Sequence, residues 1–72
     1  MFSKKVFGDR IKALRIQHGL KQSELAEKVG LGRTSITLIE NGERAASIEV
    51  AYALADCFDV TTDYLLGRTD EA

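Results

Sequence analysis

Proline and tryptophan are absent from these 72 residues, cysteine and histidine occur once each, and aromatic side chains make up only 7%. Each scarcity excludes something. A lone cysteine, Cys57, closes no intramolecular disulfide, and with His18 the only histidine there is no Cys/His set for a metal. The lack of proline and of alternating apolar and polar runs argues against an all-β fold. No apolar run approaches the roughly 18 residues of a membrane span, and none follows Met-Phe-Ser-Lys-Lys as the core of a signal peptide. A soluble, cytoplasmic chain without membrane contact is expected. Its length allows one small core and no second.

Charge is balanced in total and not in distribution. The net charge of −1 conceals a first half, residues 1–34, with eight Lys and Arg against three Asp and Glu, and a second half with two against eight. Such asymmetry points to a polyanionic or acidic partner, although solvated charge on both halves would give the same counts.

Apolar residues recur at helical spacing along most of the chain. Phe7, Ile11 and Leu14 mark a first helix over about 4–18, capped by Ser3 and ended by Gly19; Gly8 inside it costs roughly 1 kcal/mol relative to alanine. Leu25, Ala26 and Val29 mark a second over 22–29, stopped by Gly30. Ile36 and Ile39 mark a third over 33–40, stopped at Asn41-Gly42. Ser47 caps a fourth over 48–58 with Ile48, Ala51, Leu54, Ala55 and Phe58 on its inner face. Thr61 or Thr62 caps a last turn carrying Leu65 and Leu66. Helices this short are marginal alone, so their apolar faces must share one core. The fold class is therefore all-α, with residues 1–67 as the domain and 68–72 as a tail or the start of a linker.

Only Gly30-Leu31-Gly32 separates the second and third helices, which suits two helices crossing steeply. Ala26 allows close approach of the axes, Gly30 permits the left-handed turn, and Leu31, Ile36 and Ile39 fasten the third helix while leaving its other face free. With these features stand Ile11-Lys12-Ala13-Leu14-Arg15, Gly19-Leu20-Lys21-Gln22-Ser23-Glu24-Leu25-Ala26, Val29-Gly30, Ile39-Glu40-Asn41-Gly42 and Tyr64-Leu65-Leu66-Gly67. In this order and spacing, over about residues 7–67, the chain resembles the helix-turn-helix domains of the Cro/phage-repressor type. The resemblance implies a compact five-helix, lambda-repressor-like domain with its helix-turn-helix at helices 2 and 3. It also implies a dimer on double-stranded operator DNA, the third helix in the major groove.

The helical wheel agrees, turning Thr34, Thr37, Leu38 and Asn41 outward and leaving Arg33 at the N-terminal tip. Arg33, Thr34, Thr37 and Leu38 are the expected base readers, arginine being the commonest bidentate partner of guanine. Leu38 either meets a thymine methyl or packs. By resemblance, Gln22 and Asn41 hold phosphates, with Lys21 and Arg44 adding attraction; locally, Gln22 is also an ordinary first-turn residue and Asn41 a C-terminal cap. Arg15 and Glu40 match positions that form a partly buried ion pair. Four positions depart from the pattern: Lys21 at a helix cap where Thr or Asn is usual, Gly32 for Ser, Glu43 for Lys and Ala46 for Pro. They point to modest stability and weak phosphate attraction.

His18 at a helix end and Cys57 on a helix face read as structural, and the carboxylate pairs have the spacing of solvated faces. No phosphate-cradling glycine loop is present. Neither an enzyme nor a cofactor is expected. The chain reads as a sequence-specific transcriptional regulator, a repressor foremost. An antitoxin or restriction-modification controller would use the same fold, and the acidic second half favours a protein-interaction module that has lost DNA binding. Val50, Tyr52, Tyr64 and Leu66 are candidates for a homodimer contact, and a larger C-terminal domain or protein partner is compatible with the tail.

Overall fold

Five stretches that carry a helical stripe between a start signal and a stop are helices in the computed structural model, which describes Met1–Ala72. They are α1 (Lys4–Gln17), α2 (Gln22–Val29), α3 (Arg33–Glu40), α4 (Ile48–Phe58) and α5 (Thr62–Leu66). Local chemistry sets their bounds. Ser3, Ser47 and Thr61 each accept the backbone N–H of the residue three positions on, which satisfies one orphan donor at the start of α1, α4 and α5. Gly30 and Gly67 end α2 and α5 in the left-handed conformation. No helix is long and apolar enough to cross a membrane.

α2 starts with half a cap. The Glu24 carboxylate accepts the Lys21 N–H at 2.8 Å, but an ammonium has no lone pair to return to the helix and Lys21 gives no side-chain cap. Lys21→Thr is therefore expected to raise stability by about 0.5–1 kcal/mol, read as an increase in melting temperature; an unchanged or lower value would show that the cap is not limiting.

One core joins all five helices. Phe7, Ile11 and Leu14 of α1 meet Leu25 and Ala26 of α2, Ile36 and Ile39 of α3, Ala51, Leu54, Ala55 and Phe58 of α4, and Leu65 of α5. The stripe of α4 begins at Ala51. Ile48, expected on the inner face, is 89% exposed. As the first helical residue its side chain leans toward the helix N-terminus, past the edge of the core. Tyr52, one turn on, is also exposed, whereas Val50, Tyr64 and Leu66 pack partly against the core.

Gly8 is buried where α1 crosses the end of α3. A β-carbon there would overlap the Ile39 carbonyl oxygen and stand 2.9 Å from that of Glu40. The absence of a side chain lets α1 lie against the backbone of α3, offsetting the poor helix propensity of glycine.

The tail returns to α1. Arg10, half-buried, donates to the carbonyls of Tyr64 and Thr69 and to the Asp70 carboxylate, with its guanidinium 4.3 Å from the Tyr64 ring centroid. His18 caps α1 and its ring lies against Phe58, with 5.0 Å between centroids. Its Nδ1 is 2.9 Å from the Leu14 carbonyl, which only accepts and so assigns the hydrogen to that nitrogen.

Candidate nucleic-acid interface

The short Gly30-Leu31-Gly32 connection brings the N-termini of α2 and α3 to one side of the molecule. The Leu31 N–H bonds back to the Ala26 carbonyl at 2.8 Å, closing the turn, while Ile36 and Ile39 bury the inner stripe of α3. The outer stripe is left to solvent. Arg33 and Thr34 are exposed at the tip, and Ser35, Thr37 and Leu38 are half-exposed along the helix.

Between the two helix starts lies a shallow hollow lined by Arg15, Lys21, Gln22, Ser23 and Arg33, with no acidic side chain in its wall. Arg33 and Lys21 form no salt bridge or side-chain hydrogen bond. Two unpaired cations, Lys21 and Arg33, and the free N–H groups of two helix starts suit an anion.

A polar network stands behind this hollow. Arg15 donates through Nε to Glu40 Oε2 at 2.6 Å, through Nη2 to Oε1 at 3.0 Å, and through Nη1 to the Leu20 carbonyl at 2.9 Å. The side chain of Glu40 is 1% exposed and that of Arg15 13%. Hydrogen bonding to Glu40 raises the pKa of Arg15 above its ordinary value, against the opposing effect of burial. The Gln22 amide donates to Glu40 Oε1 at 3.1 Å and accepts the Thr37 hydroxyl at 3.0 Å. Two expected contact residues are thereby also structural, since Gln22 and Thr37 tie α2 to α3. One hydrogen of the Gln22 amide is left without a partner in the protein, and Gln22 lines the hollow.

The other expected residues are spread along one edge. Leu38 is half-exposed and does not pack against the core cluster. Asn41, exposed, is the C-cap of α3. Arg44, in the loop that follows, donates to Ser35 Oγ at 2.9 Å and so lies alongside α3. Ser35, next to the apolar stripe at Ile36, joins this edge through that bond, and only its hydroxyl nine residues before an arginine hints at it in the sequence. No three His, Cys, Asp or Glu side chains gather to hold a metal ion.

The sequence pattern described as helix-turn-helix matches residues 11–65, a span that runs from within α1 into α5 and contains the whole of this edge. The chain belongs to the helix-turn-helix family. Among its helix-turn-helix relatives, an uncharacterised transcriptional regulator of Archaeoglobus fulgidus is 37% identical over 62 residues, covering 86% of this chain and 89% of that one. The P22 c2 repressor, solved in complex with a synthetic operator, superposes with a TM-score of 0.81 at 32% identity, over 83% of this chain and 91% of the other. The restriction-modification controller C.AhdI of Aeromonas hydrophila gives 0.79 at 34% identity, over 86% and 94%. Two Pyrococcus relatives are longer proteins, of which the chain spans 18%. The helix-turn-helix match and these likenesses agree with an all-α domain of the lambda and P22 repressor kind.

Proposed function

We propose that this chain is a sequence-specific, double-stranded-DNA-binding transcriptional regulator, acting as a repressor, that reads the major groove with α3. The observation that carries the reading is the free, basic-tipped face of α3 beside an acid-free hollow between two helix starts. Arg33, Thr34, Thr37 and Leu38 face the bases; Lys21, Gln22, Asn41 and Arg44 hold the backbone on either side. Arg15 and Glu40 fix the scaffold and touch no base. The likeness to a repressor bound to operator supports this assignment, and that to C.AhdI supports a restriction-modification controller as the second reading. The work of such a protein is binding without catalysis or cofactor, in the cytoplasm. Two copies on a pseudo-palindrome would place their reading helices about one turn, ~34 Å, apart. Ile48 and Tyr52, two of the six large apolar residues left exposed, lie one turn apart on α4 and are available for pairing.

Selection from random duplexes, followed by binding measured across salt concentrations, tests the reading. Arg33→Ala is expected to cost about 1–3 kcal/mol on the selected operator and to relax preference at one base position. Arg44→Ala is expected to weaken all sequences alike and flatten the log–log salt slope by about one unit. A slope near zero for the unaltered chain would remove the DNA reading and move the interaction-module alternative ahead.

A further inference from the structure

Resting on the DNA-reading assignment, we infer that Thr37 acts only as a hydrogen-bond acceptor toward DNA and so selects a base that carries an amino group on its major-groove edge, adenine or cytosine. The inference follows from hydrogen-bond polarity, starting at Glu40. Its carboxylate oxygens accept from Arg15, so Oε1 also accepts from whatever Gln22 presents, and that must be the NH2 end of the amide. Turning the amide over would set oxygen against oxygen at 3.1 Å. With its nitrogen committed to Glu40, Gln22 offers Oε1 to Thr37, 3.0 Å away, and this oxygen only accepts. The single hydroxyl hydrogen of Thr37 therefore points inward. Its other available partner, the Arg33 carbonyl at 3.1 Å, is one turn back in α3 and also only accepts. Both partners of Thr37 demand its hydrogen, and neither lies in the groove. What remains for the outer, half-exposed side of the hydroxyl is lone pairs.

In the major groove each base pair shows one amino donor and one keto acceptor, on opposite strands. An acceptor-only side chain thus distinguishes strands: adenine N6 or cytosine N4 satisfies it, and guanine O6 or thymine O4 opposes it. The consequence is a two-against-two preference at one position in each half-site. Its strength should be that of one neutral hydrogen bond, about threefold to tenfold in affinity.

The test uses the 72-residue chain with Thr37→Val, which keeps the shape and removes the lone pairs, and Thr37→Ser, which keeps the hydroxyl and guards against loss of folding in the first. Selected duplexes are compared position by position. Expected is one position where the unaltered chain and Thr37→Ser favour adenine or cytosine about threefold to tenfold and Thr37→Val shows no preference. Replacing a selected adenine there by purine, which lacks the amino group, should weaken the unaltered chain by the same factor and leave Thr37→Val unaffected. If duplexes are enriched but that position takes guanine or thymine, or Thr37→Val changes no position, the inference is overturned and the DNA reading stands. If no duplex is enriched, both fall.

Discussion

Gly8→Ala is expected to destabilise the protein by about 3 kcal/mol, the upper part of the range for overpacking a tight site. Helix propensity alone predicts the opposite, a gain of about 1 kcal/mol. Contact decides the sign. The added methyl would meet the carbonyl oxygens of Ile39 and Glu40, and backbone cannot turn aside as a side-chain end can. Relief requires α1 to lift from α3, opening the core around Phe7, Ile11 and Ile39, all buried. A chain of this size has a total stability of only about 4–11 kcal/mol, so the variant should show a sharply lower denaturation midpoint with unchanged slope. A midpoint equal to or above that of the unaltered chain would show that α1 and α3 do not cross this closely.

Arg15→Met is the second large effect, expected to cost about 3–5 kcal/mol because it strands a carboxylate that cannot reach water. Glu40 is left with the Gln22 amide as its one side-chain partner. The reciprocal change, Glu40→Leu, should cost less, since Arg15 lies nearer the surface and can swing outward. The double variant Arg15→Met, Glu40→Leu should recover a substantial part of the loss, as apolar replacement of a whole buried pair often does. Denaturant titration of the four proteins gives the coupling directly. Additive losses, with no recovery in the double variant, would refute a coupled buried pair.

The helices were legible from the sequence because their limits are local. Ser3, Ser47 and Thr61 act on N–H groups three residues away, and Gly30 and Gly67 act through their own backbone angles, so no distant partner is needed. The outward face of α3 was legible for the same reason, being the complement of Ile36 and Ile39. Long-range features were hidden. Gly8 reads as a weak helix residue until α3 lies across it. The side-chain partners of the polar network are 15 to 25 residues apart, and nothing between Gln22 and Thr37 announces that one hydroxyl hydrogen serves an amide on another helix. Ile48 fits the α4 stripe by number, yet a periodicity does not say where the core stops.

Arg10 gives the tail an anchorage that bypasses α4. Its guanidinium grips the main chain at Tyr64 and Thr69 and the side chain of Asp70, and its own backbone lies two residues after Gly8. A pull applied at residue 70 is thus delivered to α1 close to where that helix bears on the carbonyls of Ile39 and Glu40. The path from the C-terminal end to the back of α3 consists of one side chain and about half a turn of α1.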